Sequence, residues 1–159
     1  MEKIKNIITT VCTYLGVTIL VIGAVLMAFG IRPFITMSGS MEPKIQTGSL
    51  CFVNTRASFY EMQEGDIIAF EAPSGALVTH RVFGKEDDGR VLVTKGDNND
   101  VEDGPTTTVE NFRGETLCSI PYVGYALAAL QKPQYKMMMV IIVSALILLV
   151  GIDFFSDRK

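Results

Sequence analysis

An uncharged, mostly hydrophobic run at positions 8–30 constrains the fold more than any other feature of this chain. As an α-helix it would be roughly 35 Å long, enough to cross a hydrocarbon core of about 30 Å. Lys3 and Lys5 precede it, as in a cleavable signal peptide, but the run is longer than the hydrophobic region of such peptides. No small-residue cleavage site follows directly, because the chain continues with Arg-Pro-Phe at 32–34. We therefore expect a retained transmembrane helix.

A second uncharged run lies at positions 137–152. With Tyr135, or with Phe154 and Phe155, at the membrane interface, residues 137–155 are long enough to form a second span. The alternative interpretation of this run is a helix buried in the core of the domain.

The two runs together predict a topology. The lysines and arginines flanking them are only weakly biased toward the two ends of the chain. The region between the runs, about one hundred residues, is long enough to be translocated largely regardless of its charges. We therefore expect residues 1–7 and 156–159 in the cytoplasm and an extracytoplasmic domain of residues 31–136.

The region between the runs is predicted to be mainly β. Short runs rich in Val, Ile, Leu, Phe and Thr alternate with turn residues. The predicted strands are residues 49–54, 66–72, 76–83, 90–94 and 115–120. Asp88 and Gly89 predict a hairpin between two of them, and residues 124–131 form either a short helix or loop at the membrane surface or part of the core. This spacing indicates a small antiparallel β-barrel or coiled sheet, not βαβ units.

Composition excludes several classes of partner. With 14 basic and 17 acidic residues the formal net charge is −3, so there is no basic patch for nucleic acid. No Cys/His spacing typical of metal sites is present, and we expect neither metal nor cofactor. Cys12 lies in the first hydrophobic run. Cys51 and Cys118 fall in predicted strands, and the sequence leaves open whether they form a disulfide.

Three features that lie apart in the sequence contain the residue types that a serine hydrolase uses. Residues 38–43 read Ser-Gly-Ser-Met-Glu-Pro, His80 is the only histidine, and an acidic cluster occupies positions 97–103. Serine is a weak nucleophile and needs a neighbouring base. A histidine can serve as that base at physiological pH, and alternation in a strand places His80 on one face with two valines, in a half-buried position.

These residues belong to a series of boxes that resembles signal peptidase I, specifically its endoplasmic-reticulum-type branch, which also occurs in archaea and some Gram-positive bacteria. The boxes are SGSMEP at 38–43, GDIIAF at 65–70, THRV at 79–82, KGDNN at 95–99 and IPYVGY at 120–125. The first, third and fourth boxes in this order are highly specific. One departure is Gly48-Ser49, where the family often has Gly-Asp.

The resemblance implies a role for each site residue. Ser40 is the nucleophile, His80 the general base, and Asp103 the acid that orients the imidazole. Ser38 would add its hydroxyl to the backbone N–H of Ser40 in an oxyanion hole. Asp97 supports the same loop and is the rival candidate for the acid, although it could instead form a local turn.

The expected function is a membrane-bound serine endopeptidase that cleaves signal peptides from exported preproteins at a bilayer, with partner subunits left open. The substrate would bind as an extended strand. Three alternatives remain at this point. The chain could be a non-catalytic, membrane-anchored β domain, a self-cleaving regulatory peptidase, or a Ser-Lys hydrolase that uses Lys95 as its base.

Overall fold

The computed structural model describes residues 2–104 and 107–130, together with residues 132 and 137. One long helix is followed by six strands and a short helix. In chain order the elements are α1 (Glu2–Ala28), β1 (Ile31–Thr36), β2 (Ser49–Asn54), β3 (Ile67–Glu71), β4 (Leu77–Glu86), β5 (Val91–Lys95), β6 (Phe112–Ile120) and α2 (Val123–Leu130). Short 3-10 turns occur at Phe59–Glu61 and Asp87–Gly89.

Helix α1 corresponds to the first predicted span. Within it, Asn6–Ala28 has a mean hydropathy of 2.3 and is not buried against the rest of the protein, so by length and composition it can cross a membrane. The helix ends at Ala28, two residues before the predicted end at Gly30, because Gly30 adopts a positive φ of 83° that terminates it. Apart from residue 137, the second predicted span lies outside the described residues.

The six strands form one antiparallel sheet in the order β1-β2-β6-β3-β4-β5. Strands β1 and β5 stand at its two ends and do not pair with each other, so the sheet is open within the described residues. The prediction of an antiparallel β domain is confirmed. Of the two forms that were predicted, a barrel and a coiled sheet, the closed barrel is not observed in the described residues.

The predicted strands agree with the observed ones to within three residues at each end. Strand β2 begins and ends where expected. Strand β1 was missed, because Pro33 has no N–H to donate to a sheet ladder. Proline is tolerated there since β1 is an edge strand that pairs with β2 alone.

The predicted hairpin is also present, between β4 and β5. Its turn contains Asp87, Asp88 and Gly89, with positive φ values of 48°, 51° and 81°. Such angles suit glycine and are tolerated by aspartate. A register shift between Val82 and Gly84 marks a bulge in β4, beyond the histidine position.

Two hydrophobic clusters stabilise the domain. The larger lies beneath β3, β4 and β5 and consists of Phe59, Met62, Ile68, Phe70, Val82 and Leu92. The smaller joins Met41, Ile45 and Cys51, with Ile67 packed against them. It therefore anchors the segment that follows Ser40 to the sheet.

For residues 124–131 the sequence left open a short helix or loop at the membrane surface and a part of the core, and the structure has the helix α2 over Val123–Leu130. Gly124 is its only buried residue. A Cβ at Gly124 would lie 2.7 Å from the carbonyl oxygen of Gly48, so the absence of a side chain allows α2 to approach the start of β2.

Candidate active site

Ser40 lies in the loop between β1 and β2, at the start of a tight turn. The N–H of Glu42 donates to the carbonyl of Gly39 at 3.1 Å, and the N–H of Ile45 donates to that of Met41 at 2.8 Å. Met41 is fully buried in the smaller cluster. The residue directly after the candidate nucleophile is thus held by packing as well as by hydrogen bonds.

Glu42 adds a polar anchor to the same loop. Its Oε1 accepts from the hydroxyl of Thr47 at 2.6 Å and from the backbone N–H of Thr47 at 3.1 Å. The hydroxyl bond, and then the backbone bond, lower the pKa of the Glu42 carboxyl. Because both bonds are made to the charged form, Glu42 remains an acceptor that ties the middle of the loop to Thr47, near its end.

His80 connects Ser40 to Asp103. On β4 its side chain is 9% exposed, with Nε2 2.9 Å from Oγ of Ser40 and Nδ1 2.6 Å from Oδ2 of Asp103. Only a protonated Nδ1 can donate to the carboxylate, which leaves the lone pair of Nε2 facing the serine hydroxyl. The ring of Phe70 meets the imidazole edge to face at 6.1 Å between centroids, and limits its rotation.

This geometry supports one chemical step directly. Ser40 Oγ–H can pass its proton to Nε2, and the resulting imidazolium is stabilised by the carboxylate at Nδ1. The residue predicted from the sequence as the base is therefore within hydrogen-bond distance of both the predicted nucleophile and the predicted acid, although these lie 40 and 23 positions from it along the chain.

Asp103 is positioned by strand β5. Its backbone N–H donates to the carbonyl of Thr94 at 2.8 Å, and its Oδ2 accepts from the Thr94 hydroxyl at 2.5 Å. The same oxygen accepts from His80. A cavity of about 170 Å³ adjoins His80 and Asp103, and Phe70 and Val78 are among its other lining residues.

Asp97, the rival acid, has a different partner. Its two carboxylate oxygens accept from Nε and Nη2 of Arg81 at 2.8 and 2.6 Å. Nη1 of Arg81 also donates to the carbonyl of Gly65 at 2.7 Å. The bonds to Asp97 raise the pKa of Arg81. Since Arg81 follows His80 directly, the Arg81–Asp97 pair fixes the loop beside the candidate base.

The loop that carries Asp97 also contacts the backbone of Ser40, the candidate nucleophile. The carbonyl of Ser40 accepts from the N–H of Asn98 at 2.8 Å. Gly96 is buried beside it, and a Cβ at that position would lie 2.6 Å from the same carbonyl oxygen. The loop that follows β5 therefore supports the loop that follows β1, although these two strands lie at opposite ends of the sheet.

The other predicted candidates also have clear positions. Oγ of Ser38 lies 3.2 Å from Oγ of Ser40, on the exposed side of the site. Lys95 extends over the exposed ring of Phe83, with Nζ 5.5 Å from the ring centroid. The observed partner of Ser40 is therefore His80 and not Lys95.

The cysteines of the domain are not paired. Cys51 is buried and Cys118 is exposed, and both are free thiols. Burial raises the pKa of the Cys51 thiol, so at neutral pH it is an unreactive core residue. No cluster of residues suited to a metal ion occurs in the described part of the chain.

Sequence reasoning missed three residues that contact the site. Thr94 and Phe70 were assigned only to strands, and Arg81 was not linked to Asp97. Thr94 lies next to the KGDNN box, and strand alternation places polar Thr94 among buried neighbours, a signal that was available in the sequence. The contacts of Phe70 and Arg81 depend on strand register.

Known proteins that are similar to this chain are named as signal peptidases or as their catalytic subunits. A family model described as signal peptidase, peptidase S26, matches residues 7–105. Signal peptidase I W of Bacillus subtilis strain 168 is 38% identical over 101 residues, which cover 62% of this chain and 50% of that protein. The catalytic subunit SEC11 of the signal peptidase complex is 30% identical over 129 residues in Schizophyllum commune, covering 64% of this chain and 66% of the relative. The Neurospora crassa subunit is 34% identical over 109 residues, covering 62% and 63%.

The chain spans about half to two thirds of the length of these relatives. The family match covers more than half of the chain and includes Ser40, His80 and Asp103, the three residues that converge in the structure. The chain belongs to the signal peptidase family, peptidase S26.

Proposed function

We propose that this chain is a membrane-bound serine endopeptidase that cleaves N-terminal signal peptides from exported preproteins. The observation that carries the proposal is the continuous contact from Ser40 Oγ through His80 to the Asp103 carboxylate. Membership of the signal peptidase family supports the choice of substrate.

In the proposed mechanism Ser40 Oγ attacks the carbonyl carbon of the scissile peptide bond while Nε2 of His80 takes its proton. The tetrahedral intermediate then collapses, and the imidazolium gives that proton to the leaving amine. A water molecule, deprotonated by the same imidazole, hydrolyses the acyl-enzyme and releases Ser40. Asp103 stays ionised throughout and stabilises the imidazolium through Nδ1.

The oxyanion of the intermediate needs donors close to the nucleophile. The backbone N–H of Ser40 is adjacent to the attacking oxygen by covalent geometry, and the Ser38 hydroxyl is 3.2 Å from Ser40 Oγ. We assign both to the oxyanion hole. Removal of one such donor typically reduces kcat by about 10²- to 10³-fold.

The substrate is proposed to bind in extended form along the edge of β1. Among the described residues this strand pairs with β2 alone, so its other edge has backbone groups available for an added strand. Only three residues separate the end of β1 from Ser40. An extended signal peptide along β1 would therefore lead its scissile bond toward Ser40.

We further propose that α1 anchors the enzyme in the membrane, with residues 31–136 outside the cytoplasm and residues 137–155 forming a second span. The apolar character of α1 and the exposure of its Asn6–Ala28 segment support the first of these assignments. The SEC11 relatives are named as catalytic subunits of a complex, which supports a search for partner subunits.

The test is cleavage of a radiolabelled preprotein by the detergent-purified chain, compared with Ser40→Ala. We expect Ser40→Ala to be inactive and equally stable, and Ser38→Ala to be reduced by about 10²-fold or more. Activity retained in Ser40→Ala would contradict the nucleophile assignment. No cleavage by the parent, under conditions in which a known signal peptidase cleaves the same preprotein, would favour the alternative of a non-catalytic membrane-anchored domain.

A further inference from the structure

Thr94 is a fully buried polar residue on the same side of the sheet as the histidine. It is the cross-strand partner of Val82, and it has no exposed surface. Side chains of cross-strand partners lie on one face, and residues two apart in a strand share a face. Thr94 and His80 therefore project in the same direction from neighbouring strands.

Thr94 holds Asp103 at two points. Its carbonyl accepts the backbone N–H of Asp103 at 2.8 Å, and its hydroxyl donates to Oδ2 at 2.5 Å. Nδ1 of His80 is 2.6 Å from that same oxygen. The imidazole and the hydroxyl thus converge on one carboxylate oxygen from adjacent strands.

Asp103 itself lies outside any helix or strand. Its carboxylate can turn about two side-chain bonds, and the Asp103–His80 bond alone leaves part of that freedom. Threonine has few accessible rotamers because it is branched at Cβ, and complete burial restricts Thr94 further. It is therefore a rigid donor against which the carboxylate can be aligned.

We propose that Thr94 is a positioning residue for the catalytic acid. Its hydroxyl holds Oδ2 of Asp103 in line with Nδ1 of His80, which keeps the proton on Nδ1 and leaves Nε2 free to accept the proton of Ser40. This role belongs to the proposed peptidase function. Its predicted effect on the rate of cleavage rests on that function.

A purely structural role makes a different prediction. If the hydroxyl served only to satisfy a buried polar group, its removal would lower stability and leave the chemistry of the folded enzyme unchanged. If it positions Asp103, the folded variant itself must be slow, and the loss must lie in kcat and not in KM, because Thr94 does not reach the substrate.

The kinetic test uses Thr94→Val, which keeps the branched shape and removes the hydroxyl. We expect kcat for preprotein cleavage to fall roughly 10- to 100-fold with KM unchanged, as for loss of a hydrogen bond to a charged group. Thr94→Ser, which restores a hydroxyl, should recover most of the rate. The matched control is Thr116→Val, because Thr116 is another buried strand threonine whose hydroxyl has no partner among the described residues.

A second measurement does not depend on cleavage. His80 is the only histidine, so its imidazole protons can be assigned by NMR of the detergent-solubilised chain. We expect a protected, far-downfield Nδ1 proton in the parent, in Thr94→Ser and in Thr116→Val, and its loss or broadening in Thr94→Val. Thr94→Ala, which also lacks the hydroxyl, takes the place of Thr94→Val if thermal unfolding shows that the valine variant does not fold.

The two measurements separate the two proposals. If the parent cleaves no preprotein but its Nδ1 proton depends on the Thr94 hydroxyl, the proposed function fails and the positioning role stands. Parental kcat in folded Thr94→Val, or an Nδ1 signal that is unchanged by loss of the hydroxyl, would overturn the positioning role. Absence of the signal in the parent would overturn the His80–Asp103 alignment on which it depends.

Discussion

Two aspartates six positions apart have different environments. Asp103 accepts from His80 and Thr94, whereas Asp97 forms a bidentate pair with Arg81. The side chain of Asp103 is 16% exposed and that of Asp97 is 18% exposed, so burial does not distinguish them. What distinguishes them is the partner that the register of β4 and β5 places beside each one.

This difference predicts unequal effects of the same substitution. Asp103→Asn should lower kcat by about 10⁴-fold, because an asparagine that donates to Nδ1 favours the wrong imidazole tautomer. Asp97→Asn removes one charge from the pair with Arg81, so we expect a lower melting temperature and a loss of activity of about tenfold or less. Cleavage rates and thermal unfolding of both purified variants check this prediction.

The stability measurement serves as the control, since both variants keep the size of the side chain. A folded, nearly normal Asp103→Asn beside an inactive Asp97→Asn would contradict the assignment and identify Asp97 as the acid.

At the level of the elements, β6 joins the two halves of the sheet. It pairs with β2 on one side and with β3 on the other, and both pairings contain a register shift. Gly114 lies in this region with a φ of 137°, and a Cβ there would overlap the carbonyl group of Asn54 on β2. The two nearest atoms belong to the backbone, so they cannot move aside independently of the strand.

Gly114→Ala should therefore destabilise the domain by more than the cost of its backbone angle. Gly75, in the turn before β4, has a positive φ of 79° with no neighbouring atom within 4 Å of a Cβ, which makes Gly75→Ala the matched control. We expect about 1 kcal/mol from the control and at least about 2–3 kcal/mol from Gly114→Ala. Equal losses in chemical denaturation would show that β6 can shift to accommodate the added methyl group.

At the scale of the whole molecule, α1 joins the domain without a flexible linker. Strand β1 begins three residues after the end of α1. The carbonyl of Gly30 accepts from the backbone N–H of Thr55 at 2.9 Å and from its hydroxyl at 2.8 Å. The helix end is therefore tied to the end of β2. In the proposed arrangement, with α1 in the membrane, the short path along β1 would set the height of Ser40 above the bilayer.

A lengthened junction should uncouple the site from the membrane. We expect six Gly/Ser residues inserted between Ala28 and Phe29 to slow cleavage of a membrane-inserted preprotein by about tenfold, because the effective concentration of the site at the bilayer falls. Cleavage of a soluble peptide that spans the same scissile bond should not change. The same insertion between Ser74 and Gly75, in an exposed turn, is the control for general disruption.

Comparable rates for the membrane-inserted preprotein before and after insertion at Ala28 would show that α1 acts only as a tether. A parallel loss with the soluble peptide would instead show damage to the domain.

Much of this organisation could be predicted from the sequence. The uncharged run predicts α1 to within two residues of its end, and short β-prone runs bounded by turn residues predict five of the six strands in the described residues, because these signals depend on neighbouring residues alone. Strand β1 was missed because Pro33 is a poor strand residue, and only its edge position makes it acceptable. The open sheet could not be separated from a closed barrel, since closure depends on contacts between distant strands.

For the site, residue type, order and resemblance to a family were enough to name Ser40, His80 and Asp103 as candidates, with Asp97 as the rival acid. How these side chains are held could be seen only in the folded chain: Thr94 lies beside Asp103, Asp97 pairs with Arg81, and the Asn98 loop contacts the carbonyl of Ser40. The physical reason is that these contacts depend on the register of β4 against β5 and on the approach of loops from the two ends of the sheet, and neither depends on residues that are adjacent in the chain.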